Sequence, residues 1–286
     1  MSEVDQRLAP ATSPSVEQTA VMLATAYVML WNTGHAMAML PVAMVFIVAC
    51  SPPFTLRQRS WFWLAGAAVW VPAVIIAWDR MEDHVYLGVY WMIALAIGLR
   101  DPEFWPSTRF MARVLVGLTF AVAVVWKLAS ADFVGGDTFE WLLVGDDRFH
   151  AVTRLLAGTS DGQLDAATEA LRTAAGDAVG QRVPYQLGQR TGVVVGAMTA
   201  WTLVVETATA VAFLAPDRNR LARLRPAALM AFGWSTYLLV PVAGFSILFM
   251  TMGAVVAHPN RRVQLIYAAS GVVFAIAANL RVLEIY

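Results

Sequence analysis

Seven apolar runs follow one another along this chain, and they restrict its fold more than any other feature. They cover residues 18–50, 60–78, 84–99, 109–127, 191–214, 226–257 and 263–280. A helix that crosses the hydrocarbon core of a bilayer needs about 20 apolar residues. Charged residues make up only 14% of the chain, against about 25% in a soluble domain. We therefore expect an all-α polytopic membrane protein with about seven transmembrane helices, between roughly six and eight.

Two of these runs are too long for one straight crossing. Run 18–50 would measure roughly 50 Å as a single helix, and the polar residues 32–35 interrupt it midway. One kinked or protruding helix is favoured there over two short pieces. In run 226–257, Pro241 and Gly244 predict a bend within a single crossing. The simplest organisation is a polar tail over 1–16 and one membrane domain over 17–286.

A polar segment over 129–190 separates the fourth and fifth runs. Its pattern predicts two amphipathic helices, at 147–157 and 161–179. Their apolar sides carry Phe149, Val152 and Leu156 in the first, and Leu164, Leu171 and Ala175 in the second. Such helices would rest on the membrane surface or cap the bundle.

Basic residues predict the orientation in a cell membrane. Arginines concentrate in the loops 51–59, 100–108 and 215–225, which should be cytoplasmic. The segment 129–190 is then extracytoplasmic, on the same side as Arg261 and Arg262. The net charge is zero, so we expect no nucleic-acid partner. The lipid bilayer is the expected environment.

Lys127 closes the fourth run, and His84 opens the third. In the predicted topology both lie near the outer face, together with Asp83 and Asp132. A partly desolvated lysine loses its proton more easily and can act as a base, and the histidine could relay that proton. The alternative is structural, since a lysine at a helix end commonly extends to the headgroups.

Glu206 lies in the middle of the fifth run, where an unpaired carboxylate would be costly. We expect a structural ion pair between Glu206 and Arg113, near the cytoplasmic end of the fourth run. Proton or ion transport through Glu206 is the alternative. No spacing of cysteine, histidine and carboxylate residues predicts a metal site.

Two short stretches resemble a known family. Residues 83–87 (Asp-His-Val-Tyr-Leu) resemble the Asn-His-x-Tyr-Leu element of the vitamin K-dependent γ-carboxylase-like membrane domain, or HTTM domain. Residues 125–128 (Val-Trp-Lys-Leu) followed by 132–136 (Asp-Phe-Val-Gly-Gly) resemble that family's Lys-Leu segment and Asp-Trp-x-x-Gly element. Asp83 stands in place of the family's Asn, and Phe133 in place of its Trp.

The resemblance implies that Lys127 deprotonates a hydroquinone of the vitamin K type. Oxygen and carbon dioxide would be co-substrates, and His84 would support the site with Asp83, Tyr86 and Asp132. The chain offers no counterpart to the large domain that grips the glutamate-containing peptide in true carboxylases. We therefore expect a reaction on a lipophilic quinol or a similar small molecule. The alternative is a non-catalytic scaffold or carrier whose outer segment binds an extracytoplasmic protein or peptide.

Overall fold

The computed structural model describes residues 15–31, 59–76, 83–177, 186–240 and 242–284. All regular elements in these ranges are helical, which confirms the predicted all-α class. The break predicted at 32–35 lies outside the described residues. The α-helices are α1 Val16–Trp31, α2 Ser60–Ile76, α3 Asp83–Gly98, α4 Phe104–Ala129, α5 Ala131–Gly135, α6 Asp137–Gly145, α7 His150–Leu155, α8 Asp161–Asp177, α9 Thr191–Leu214, α10 Arg225–Tyr237, α11 Ala243–Ala257 and α12 Arg261–Glu284.

The chain divides into two compact units, Met1–Thr108 and Arg109–Tyr286, and the boundary falls inside α4. In the first unit, α3 packs against both α1 and α2. The buried indole of Trp91 on α3 donates a hydrogen bond of 2.9 Å to Thr25 on α1. Thr25 in turn donates to the carbonyl of Val21. This bond ties α1 to α3 without leaving a polar group unsatisfied.

Three helices of the described chain are long and apolar enough to cross a membrane. They are α4, α9 and the stretch Arg261–Ala278 of α12. Two shorter apolar helices, Val85–Gly98 and Ala243–Ala257, accompany them. A helical membrane protein is thus supported, whereas the count of seven crossings is not confirmed.

Helices α4 and α9 lie antiparallel with a large offset. Gly117 of α4 lies against Leu214 at the end of α9, where an added Cβ would come within 2.7 Å of the Leu214 side chain. Further along, Lys127 lies beside Glu206. The first dozen or so residues of α9, roughly 18 Å of helix, therefore extend beyond the end of α4.

Run 226–257 does not form one bent crossing, and this prediction is wrong. Helix α10 folds back on α11 as an antiparallel hairpin. Its contacts pair Leu229 with Gly253 and Gly233 with Met250, so the far ends of the two helices meet. The rings of Phe232 and Phe249 also meet, with centroids 6.2 Å apart. Along one continuous helix, residues 229 and 253 would be separated by roughly 36 Å.

The hairpin changes the predicted position of Arg261 and Arg262. Helix α10 runs back along α9, since Trp201 donates a hydrogen bond of 2.9 Å to Ser235. Helix α11 then returns to the end of the bundle where α9 ends, and α12 starts from that end. Arg261 and Arg262 thus lie at the same end as the basic stretch 215–225, not at the opposite end.

The polar segment after α4 covers the part of α9 that α4 leaves free. Phe133, Phe139, Leu143 and Phe149 form a buried cluster with Val195 of α9. Helix α8 packs on α6 through Leu164 and Ala167, which are buried. Both predicted amphipathic helices are present, the first as a short 3-10 turn, Asp147–Phe149, followed by α7. On the predicted apolar sides Phe149, Val152 and Leu164 are buried, Leu171 is half-buried, and Leu156 is exposed.

Candidate functional site

An ion pair between Lys127 and Glu206 joins α4 to α9. The Lys127 Nζ lies 2.6 Å from both carboxylate oxygens of Glu206 and donates to both. The Glu206 side chain is 7% exposed, and the Lys127 side chain is 23% exposed. The carboxylate is therefore the more enclosed partner, and the lysine side chain has more surface open to its surroundings.

Phe133 comes back over Lys127 because the chain turns sharply after α4. Ser130 caps α5, with its hydroxyl accepting a hydrogen bond from the Phe133 N–H. This turn brings the Phe133 ring centroid to 5.6 Å from Lys127 Nζ, within the range of a cation–π contact. The lysine and the aromatic residue of the two motif stretches are thus neighbours in space. The amine has a carboxylate on one side and an aromatic ring on another.

The predicted pair between Arg113 and Glu206 is wrong. Arg113 lies about 14 residues before Lys127 on α4, so the antiparallel register sets it opposite the end of α9, roughly 20 Å away. There its Nη1 lies 3.4 Å from Asp217 Oδ1. The expectation failed because the register of the two helices places Glu206 beside Lys127, at the other end of α4.

Arg225 completes a cluster at this end of α9. It is buried, donates from Nε to the Ala212 carbonyl over 3.0 Å and contacts the Ala215 carbonyl, so it satisfies the last carbonyls of the helix. Its Nη1 lies 2.6 Å from Asp217 Oδ1. This hydrogen bond, with the positive charges of Arg113 and Arg109, holds the pKa of Asp217 below its usual value. Asp217 is therefore ionised at neutral pH and keeps the guanidinium groups in place.

Three of the other predicted site residues, Asp83, His84 and Tyr86, belong to the first unit, and Asp132 belongs to the second. Asp83 and His84 begin α3, but their side chains lie outside the described part of the chain. Tyr86 is half-buried on α3 in the first unit, and Asp132 is exposed on α5. Among the described residues, no group of three or more histidines, cysteines and carboxylates is placed to hold a metal ion.

Sequence reasoning missed Tyr237 as a neighbour of the pair. Tyr237 is buried near the end of α10, within electrostatic range of the Glu206 carboxylate. It also packs against Phe232 and Phe274, with ring centroids 5.5 Å and 5.6 Å away. Only the hairpin of α10 and α11 places it there, and the sequence carries no signal for that hairpin beyond Pro241.

Gly136 holds the turn that positions Phe133. It has a φ of 93°, and a Cβ at this position would lie 2.6 Å from Val195 Cγ1. We expect Gly136→Ala to lower the stability of helices α5 and α6 by about 1–3 kcal/mol. Gly135→Ala is the matched control, because its Cβ would meet nothing closer than 4.0 Å. Limited proteolysis of the purified protein in detergent measures both; equal cleavage of the two variants would contradict the role of Gly136.

Chemically, the pair can exist in two protonation states. Water stabilises an ammonium and a carboxylate separately, but an apolar environment penalises both charges. Transfer of one proton from Nζ to Oε gives a neutral amine and a neutral acid without changing the net charge of the pair. A neutral amine has a lone pair that can accept a proton from another molecule.

Comparison with protein families, with curated proteins and with solved structures finds no match to this chain. The resemblance to the γ-carboxylase-like membrane domain stays a prediction that depends on its short motifs.

Proposed function

We propose that this protein is a multi-pass membrane enzyme that takes a proton from a lipophilic substrate, with Lys127 as the base. The observation that carries this proposal is the Lys127–Glu206 pair, which joins two helices of membrane length. An ion pair that is exposed to solvent at a helix end would need no functional explanation. A carboxylate enclosed at 7% exposure needs its partner, and the side chain of that partner is 23% exposed.

The reaction begins from the neutral form of the pair. The Lys127 amine accepts a proton from a hydroxyl of the substrate and becomes an ammonium, and the substrate becomes an anion beside it. The attraction between these two charges is strong because little water separates them. Phe133 limits the directions from which the substrate oxygen can approach.

A hydroquinone of the vitamin K type is the proposed substrate, on the strength of the motif resemblance alone. Oxygen is then a co-substrate, and carbon dioxide is one only if the chemistry extends to carboxylation. His84 is proposed as a supporting polar residue, with Asp83, Tyr86 and Asp132. The proposed topology has the basic stretch 215–225 and Arg261 and Arg262 in the cytoplasm, with 129–190 outside.

Lys127→Arg separates a basic role from a structural one. Arginine keeps the charge and can pair with Glu206, but it does not lose its proton in proteins. We expect this variant to fold normally and to lose at least about a hundredfold in hydroquinone consumption, the usual contribution of a positioned base. Proteoliposomes of the full chain, supplied with a lipophilic hydroquinone in air, provide the assay. Turnover retained in Lys127→Arg refutes the base.

The second candidate is a non-catalytic scaffold or carrier. The specific observation in its favour is that Lys127 is already satisfied by two carboxylate oxygens and an aromatic face. If the wild-type protein never consumes a hydroquinone, and deletion of 137–177 removes a partner that copurifies from membranes, the scaffold is the better account.

A further inference from the structure

A cleft of about 640 Å³ lies between α5 and α6 on one side and the first half of α9 on the other, beside the buried contacts of Val195. Val134, Gly136 and Glu140 form one wall, and Gly192, Gly196 and Thr199 belong to the other. The cleft continues to Leu203, which precedes Glu206 by less than one turn of α9.

Two glycines on the α9 side of the cleft, Gly192 and Gly196, have open space beside them. A Cβ added to Gly192 or to Gly196 would find no atom within 4 Å. Gly117 and Gly253 differ from these two, since a Cβ at either position would come within 2.7 Å of a neighbouring side chain. The two glycines in the cleft therefore leave space that the fold itself does not use.

Thr199 gives independent support for a ligand in this cleft. Its side chain is buried, with 9% of the residue exposed, and its hydroxyl has no hydrogen-bond partner among the described residues. Two buried or half-buried threonines of these helices show the usual arrangement, a bond to a carbonyl one turn earlier. Thr209 donates to the Val205 carbonyl over 2.8 Å, and Thr119 donates to the Leu115 carbonyl over the same distance. A buried hydroxyl without a partner is costly, so a group that enters the cleft can supply the missing bond.

The charge of the cleft indicates the polar group of that ligand. Glu140 is half-buried in the wall, and none of the described residues that line the cleft carries a positive charge. The remaining lining residues are small or apolar, with Val195, Leu203 and Ala200 among them. A lone carboxylate in such surroundings favours a cation that can donate hydrogen bonds.

We propose that this cleft binds an amphiphile with an apolar chain and an ammonium head. The head lies at Glu140 and the Thr199 hydroxyl, and the chain lies over Gly192 and Gly196. This binding site goes beyond the proposed enzymatic function and does not depend on it. Lys127→Arg should bind the amphiphile like the wild-type protein, whether or not Lys127 is a base.

Spin-labelled stearylamine is a suitable probe, titrated into the full chain in uncharged detergent and followed by the immobilised fraction in electron paramagnetic resonance. Gly196→Leu fills the cleft and should weaken binding at least about tenfold. Ala197→Leu is its matched control, because Ala197 is exposed on the same helix but does not line the cleft. It should stay within about twofold of the wild type.

Two polar variants test the position of the head group. Glu140→Gln should weaken binding of the amine about tenfold and leave binding of spin-labelled stearyl alcohol unchanged. Thr199→Val should weaken both probes about threefold without loss of thermal stability. Equal binding by Gly196→Leu and Ala197→Leu overturns the proposal. So does equal affinity of the wild type for the amine and for spin-labelled stearic acid.

A second copy of the chain is the competing occupant, because small residues spaced four apart also pack transmembrane helices. Light scattering on the same samples distinguishes a bound amphiphile from a second copy of the chain. A dimer that Gly196→Leu converts to a monomer, with the immobilised fraction of the probe unchanged, would overturn the amphiphile site.

Discussion

Lys127→Met is expected to lower the free energy of unfolding by about 3–5 kcal/mol at pH 8, because it leaves Glu206 buried without its partner. The carboxylate must then remain charged in an apolar setting or take up a proton. Either outcome lowers the free energy of unfolding, and the intact ion pair of the wild type avoids both. Denaturant unfolding of the purified protein in detergent measures the loss.

Arg113→Met is the matched control for this prediction. It removes a cation from the same helix, but the partner Asp217 is 67% exposed and keeps its bond to Arg225. Its expected cost is about 1 kcal/mol or less, as for an ion pair near the surface. Equal losses of unfolding free energy in the two variants would show that the burial of Glu206 does not add to the stability that its ion pair provides.

The second large effect concerns which turns share one side of the membrane. Because α10 and α11 form a hairpin, Asn219 and Asn260 should lie on the same side, and Ser160 on the other. Cysteines placed singly at these positions in a Cys50→Ser background should react accordingly. A membrane-impermeant maleimide should label Ser160→Cys in intact cells, and Asn219→Cys and Asn260→Cys only after permeabilisation.

The two asparagine positions are matched to each other. Each side chain accepts a backbone N–H, from Leu221 over 2.9 Å and from Val263 over 3.3 Å, so the substitutions lose the same kind of bond. If Asn260→Cys reacts together with Ser160→Cys, run 226–257 crosses the membrane once, and the hairpin is refuted.

The sequence predicted local structure well and the packing between helices poorly. The fifth run was predicted at 191–214, and the helix is Thr191–Leu214. The second amphipathic helix was predicted at 161–179, and it is described as Asp161–Asp177. Apolar runs and polar breaks act over a few residues, so composition along the chain is enough to find them.

The offset between α4 and α9 depended on contacts that no local pattern encodes. Gly117 lets Leu214 approach closely, and the outer helices α5 and α6 take the place of α4 beside the first half of α9. Glu206 consequently pairs with Lys127 and not with Arg113. The sequence singled out all three residues, but the partner depended on a register set by distant parts of the chain.

A double-mutant cycle at positions 127 and 206 tests the central claim, which is that the two side chains form one enclosed pair. Unfolding free energies are measured for the wild type, Lys127→Met, Glu206→Gln and the double variant under one set of conditions. The predicted coupling is about 1–3 kcal/mol, because the second substitution removes the carboxylate that the first leaves unpaired. Additivity within about 0.5 kcal/mol would mean that the two side chains do not interact, and it would remove the basis for the proposed chemistry.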